Sequence, residues 1–206
     1  MNKKKLFVSV ITIVAIGIFA VTVFRALYYI PSDEIPLSKA LVKKALAEGS
    51  GTSLKSNLSS YPATLVIPKI NINANVQQVG ITKKGNMATP NNFRDVGWYK
   101  YGTIPGQEGS AVIAGHLDNG LSLAAVFYNL KDLTKGDDIY VITIGNKRLH
   151  FIVTKTEMYN FNDLPSGNNI FTEGNGKFLK LITCAGSWVS EYKTHSKRLV
   201  VTAVLV

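Results

Sequence analysis

Asp138-Ile139-Tyr140-Val141-Ile142-Thr143-Ile144, then Gly145-Asn146-Lys147, then Leu149-His150-Phe151-Ile152-Val153-Thr154-Lys155-Thr156-Glu157 is the stretch that decides the fold. Val, Ile, Thr, Tyr and Phe fill both runs, the residue types that suit a pleated, half-buried surface. Ile144-Gly145-Asn146-Lys147 between them is a tight hairpin signal. Working outward, residues 65–68, 74–79, 111–114, 178–183 and 199–206 repeat this composition, with Gly, Asn and Pro breaking the chain about every ten residues. The spacing predicts one all-β barrel or sandwich beginning near Tyr61. The sequence carries no internal repeat, no Gly-rich phosphate loop and no cysteine-histidine metal pattern, so neither a cofactor nor a metal site is expected.

The other end of the chain reads differently. Residues 6–24 are apolar or small throughout, with hydroxyls only at Ser9, Thr12 and Thr22 and no charge. A helix crosses a bilayer core with about 20 residues, so this segment is expected to span. Lys3, Lys4 and Lys5 precede it and a single Arg25 follows, which orients the N-terminus to the cytoplasm. A cleaved signal peptide has an apolar core of only about 7 to 15 residues, and Ala20-Val21-Thr22 is followed by further apolar positions. The expected organisation is therefore a cytoplasmic tail (1–5), a transmembrane signal anchor (6–28), a juxtamembrane helix and flexible linker (29–60) and an extracytoplasmic domain (61–206). In the linker, Ser38 caps a short pattern with Leu37, Leu41, Val42, Ala45 and Leu46 on one face. Residues 49–60 are rich in Gly, Ser, Thr and Asn, which marks a tether.

The chain holds 23 Lys and Arg against 13 Asp and Glu, and it stays basic beyond the anchor because every acidic residue lies after residue 30. A basic exported surface suits an anionic wall or lipid headgroups. No arginine-rich stripe with interleaved aromatics is present, so nucleic acid is not an expected partner.

The single cysteine, Cys184, ends the apolar run Leu181-Ile182-Thr183-Cys184. One cysteine in an oxidising compartment cannot form an internal disulfide, which favours a working thiol over a packing role. Such a thiol needs a base or cation to activate it. Of three histidines, His116 follows an apolar strand in Ala114-Gly115-His116-Leu117-Asp118, where a loop displays side chains. His150 sits inside an alternating strand, where a structural or solvent-facing role is expected. His195 lies in the polar connection Tyr192-Lys193-Thr194-His195-Ser196-Lys197-Arg198 and is the weaker candidate base. Arg198, at the start of the last strand, is either a surface charge or a fork of donors for an oxyanion. A thiol, an imidazole and a guanidinium on separate strand ends suit acyl transfer.

Ala-Gly-His-x-Asp at one strand end, Leu-Ile-Thr-Cys at another and an arginine opening the last strand resemble the sortases, bacterial cysteine transpeptidases of the cell surface. Residues 64–76, Val96-Gly97-Trp98-Tyr99, Pro105-Gly106 and the run from Gly109 to His116 continue the likeness, which covers 61–206. The Gly-Trp-Tyr and Gly-His-x-Asp details look most like the class E and F branches. The resemblance implies an eight-stranded β-barrel with short helices, with catalytic roles for His116, Cys184 and Arg198. Thr183 matches the threonine before the nucleophile, and Thr183 and Asp118 are expected on the substrate side of the site. Asp118 either orients His116 or caps its loop. Lys180 departs from the family's first threonine in the Thr-Leu-x-Thr-Cys pattern. Leu164-Pro165-Ser166-Gly167 reads as a turn before the cysteine strand, where the family builds part of its substrate groove.

The implied reaction is attack of Cys184 on a threonine carbonyl in an LPxTG-like sorting motif of a secreted protein. A thioester follows, and an amine of a peptidoglycan precursor or pilin resolves it. His116 serves as acid for the leaving amine and base for the incoming one. Two other classes fit the residues: a catalytically silent binding module on the same fold, and a cell-wall cysteine peptidase.

Overall fold

The computed structural model describes residues 3–29, 58–163 and 175–206. The linker pattern around Ser38 and the turn at Leu164 lie outside the described residues. Helix α1 runs Lys3–Tyr28, and eight strands follow: β1 Pro62–Ile67, β2 Ile72–Val79, β3 Val96–Tyr99, β4 Gly109–Ala114, β5 Asp138–Thr143, β6 Arg148–Asn160, β7 Lys177–Val189 and β8 Thr194–Leu205. The strands close into a barrel in the order β1-β2-β3-β4-β7-β8-β6-β5. Two pairings are parallel, β2 with β3 and β4 with β7. The short helices beside the barrel are 3-10 turns at Pro68–Ile70 and Leu130–Asp132.

Among the described residues no helix is long and apolar enough to cross a membrane, so the structure does not support the transmembrane helix expected over 6–28.

The hairpin at 144–147 forms as its sequence predicts. Asn146 takes the left-handed φ of 61°, its N–H donates to Thr143 O at 2.9 Å, and Thr143 N–H donates to Lys147 O at 2.9 Å. This is a three-residue loop whose last residue must adopt αL, which Asn does at little cost. Leu65, Ile67, Val96, Trp98, Ile113, Phe127, Ile139, Val141, Phe151, Val153, Leu179, Leu181 and Val201 fill the interior. Period-two alternation puts the strand residues among them on one face, and Phe127 joins them from the turn before Leu130. Trp98 spends its only donor on Thr103 O at 3.0 Å, so burying the indole leaves no polar atom unpaired.

Strands β7 and β8 outrun their apolar signal. Cys184 was expected at a strand end and Arg198 at a strand start. Instead β7 continues five residues past the thiol to Val189, and β8 begins at Thr194. A bulge between Ala185 and Trp188 makes the extension possible. Gly186 takes φ +77° there, and a Cβ would collide with Ser196 Oγ. The connection bearing His195 is thus paired backbone, with Trp188 opposite His195.

Gly115 closes β4 against Phe127, and a Cβ at this position would lie 2.5 Å from the buried ring. We expect Gly115→Ala to force ring or backbone to shift and to cost about 1–3 kcal/mol, read as a lowered urea midpoint with an unchanged m-value.

Candidate active site

The nucleophile candidate sits where β7 is flanked on both sides. Cys184 is directly opposite Arg198 on β8, and the preceding residues run parallel to β4, with Ile182 beside Ala114. Gly115 N–H donates to Ile182 O at 3.1 Å, and Thr183 Oγ1 donates to Gly115 O at 2.8 Å. These two bonds fasten the residue before His116 to the residues before Cys184. The topology thereby brings the thiol, the imidazole-bearing loop and the guanidinium-bearing strand to neighbouring positions at one end of the barrel. Thr183 itself is buried, and its hydroxyl bond to Gly115 O clamps the histidine loop to β7.

His116 is partly buried, edge-on to Phe93 with centroids 5.2 Å apart. Its Nε2 lies 3.1 Å from Pro90 O. A carbonyl oxygen can only accept, so Nε2 carries the hydrogen and Nδ1 keeps the lone pair in the neutral ring. Burial holds the imidazole below its ordinary pKa, opposed by the Pro90 carbonyl and the Asp118 carboxylate. Burial likewise pushes the Cys184 thiol up, against the Arg198 guanidinium, while Asp118 pushes it further and the Thr194 hydroxyl lowers it. Neutral thiol and neutral imidazole therefore predominate near neutral pH.

Arg198 is held by its own strand. Nη1 donates to His195 O at 3.0 Å and Lys197 O at 2.9 Å, and Nη2 donates to Thr194 Oγ1 at 2.8 Å. A guanidinium has five N–H donors, so among the described residues Nε–H and one Nη2–H have no partner. Asp118 does not contact His116; its carboxylate reaches His195, with Oδ2 at 3.3 Å from Nε2. His150 is remote in role, paired with Asp138 at 2.7 Å and stacked on Tyr140, as its place in an alternating strand predicts. Lys180 is buried between Val112 and Thr202 on the neighbouring strands. Among the described residues no cluster of His, Cys, Asp and Glu could hold a metal ion.

A family profile for the sortase domain matches residues 65–206, and the chain belongs to the sortase family, whose members are cysteine transpeptidases. No curated protein sequence matches it. Among solved structures it is similar to sortase C-1 from Actinomyces oris, with 25% identity, a TM-score of 0.53, and coverage of 77% of this chain and 82% of that one. It is also similar to sortase A from Corynebacterium diphtheriae, with 23% identity, a TM-score of 0.54 and coverage of 78% and 71%. A third likeness is to a Clostridium perfringens sortase D5 transpeptidase, with 20% identity, a TM-score of 0.54 and coverage of 80% and 92%. The last two speak for the fold alone. These structures are of classes C, A and D, and they do not place the chain in class E or F.

The pKa directions fix how stability depends on pH. His116 binds its proton less readily when folded, so below about pH 6.5 the unfolded chain takes up more protons and stability falls on acidification. Cys184 has the opposite chemistry and loses its proton less readily when folded, so stability also falls as pH rises past the ordinary thiol range, about 8.5. We expect the thermal midpoint of His116→Gln to decline less between pH 7 and pH 5 than that of the wild type, and Cys184→Ala to decline less above pH 8.5.

Proposed function

We propose that the protein is a membrane-anchored cysteine transpeptidase that cuts an LPxTG-like sorting motif and passes the acyl group to an amine. The observation that carries this reading is the cross-strand pairing of Cys184 with Arg198, beside a β4 end that Thr183 clamps to β7. Cys184 Sγ attacks the threonine carbonyl. The Arg198 donors that no described residue takes up meet the oxyanion, a role that preorganised donors perform without solvent reorganisation. His116 Nδ1, the nitrogen not engaged by Pro90, gives its proton to the departing amine and takes one back from the incoming amine. A thiolate beside an imidazolium is the reactive pair, and the opposed pKa directions make it a minor species, which implies slow turnover.

Anchoring rests on residues 6–24 with Lys3, Lys4 and Lys5 before them. Phe7, Ile13, Ile16, Ile18, Phe19 and Phe24 expose large apolar side chains along α1. Such a surface calls for an apolar phase around it. On this reading the enzyme is a single-pass protein of the cell membrane, with its N-terminus in the cytoplasm and its barrel outside. Its substrates are secreted proteins with a C-terminal sorting motif, and the acceptor is an amine of a peptidoglycan precursor or a pilin. Ala114-Gly115-His116-Leu117-Asp118 and Gly97-Trp98-Tyr99 favour a class E or F assignment.

Full-length protein in detergent, incubated with a library of sorting-motif peptides and an amine, is expected to give a mass-detected acyl adduct on Cys184 and an amine-extended product. His116→Ala and Arg198→Ala should each reduce product formation at least about 100-fold, and Cys184→Ala should abolish it. A peptide pool left unchanged across every motif would overturn the assignment in favour of a silent binding module.

A further inference from the structure

Asp118 and His195 meet across the site from two different elements. The carboxylate and imidazole are largely shielded, 23% and 11% exposed, and Asp118 Oδ2 lies 3.3 Å from His195 Nε2. Asp118 stands two residues after His116 on the loop leaving β4. His195 stands three residues before Arg198 on β8, and its carbonyl accepts one of the Arg198 Nη1 bonds at 3.0 Å. Trp188 meets the His195 ring edge-on, with centroids 5.4 Å apart and planes at 81°. The Gly186 bulge sets that contact, because it puts Trp188 opposite His195 in the β7–β8 ladder. The imidazole thus has both an aromatic ring and a carboxylate as neighbours, while the His116 ring has Pro90 O and Phe93 as its partners.

We infer that Asp118 and His195 form a positioning pair that ties the loop carrying His116 to the strand segment that holds Arg198. This rests on the transpeptidase reading, because it assigns the pair the task of keeping imidazole and guanidinium at a fixed separation on either side of the thiol. The clamp at Thr183 and Gly115 holds the loop to β7 from one side; the new pair holds it to β8 from the other. The Asp118 carboxylate acts on both His116 and Cys184, and its engagement with His195 turns that charge toward β8. Misplacing an acid–base group by about 1 Å can cost about 100-fold in rate, so a partly relaxed loop should show mainly in kcat.

The test uses full-length protein in detergent and the variants Asp118→Asn, His195→Gln, their double and Asp118→Glu. The first readout is transfer of an LPxTG-like peptide to hydroxylamine. Each single variant should lower kcat about tenfold with KM within about twofold, Asp118→Glu should recover part of the rate, and the double should be no slower than the worse single. The second readout is iodoacetamide alkylation of Cys184, which needs no peptide. Asp118→Asn removes a negative charge beside the sulfur and should speed alkylation; His195→Gln leaves the carboxylate without its imidazole and should slow it. A purely structural role would not give opposite signs. Unchanged kcat, additive losses, or losses that track a lowered thermal midpoint would overturn the pair. If wild type transfers no peptide, the transpeptidase reading fails by itself, and alkylation rates equal to wild type in both singles would then overturn the pair separately.

Discussion

The molecule depends on β7 being hydrogen-bonded along both edges, parallel to β4 and antiparallel to β8. A parallel partner must come from a crossover, since no hairpin can make one, and here the chain between β4 and β7 contributes two other barrel strands before returning. Register in such a strand is unforgiving, because a slip of one residue turns every side chain to the opposite face. Moving β7 by one position would expose Thr183 and turn Cys184 inward. The buried Thr183 hydroxyl on the Gly115 carbonyl guards against that slip, since losing a buried bond costs about 1–3 kcal/mol. Core packing by Leu179 and Leu181 works in the same sense.

On this frame the site's electrostatics follow from burial more than from pairing. Desolvation is the leading influence on both the imidazole and the thiol, and it favours the neutral form of each. Arg198 lies opposite the thiol and works against that, yet much of its donor capacity is committed to carbonyls of its own strand. Those bonds keep a long, flexible side chain in one rotamer, which lowers the entropy lost when a carbonyl docks.

Much of this was legible in the chain, and the gaps have physical reasons. The hairpin around Asn146 was readable because β-branched runs and an αL-tolerant turn residue are local signals. The order of His116, Cys184 and Arg198 was readable by family likeness, and their strands were found from apolar runs. Strand β3 is only four residues long and contains Gly97, so it leaves almost no periodic trace. The outer parts of β7 and β8 carry no apolar alternation to read, with Gly186 and Ser187 exposed on β7 and the polar run Thr194, His195, Ser196 and Lys197 on β8. The Asp118–His195 contact joins residues far apart in sequence through a bulge, and neither residue carries a spacing that points to the other. Thr183 was visible as a motif, but its bond to the Gly115 carbonyl was not, since nothing in the spacing joins two residues 68 positions apart.

The bond from His116 to residue 90 goes to a main-chain oxygen, and that has an evolutionary corollary. Any amino acid at that position brings the same atom, so exchange of the proline side chain cannot delete the acceptor; only a shift of the surrounding backbone can. The ring is therefore kept from flipping, and its two nitrogens from trading places, by a feature insulated from point substitution.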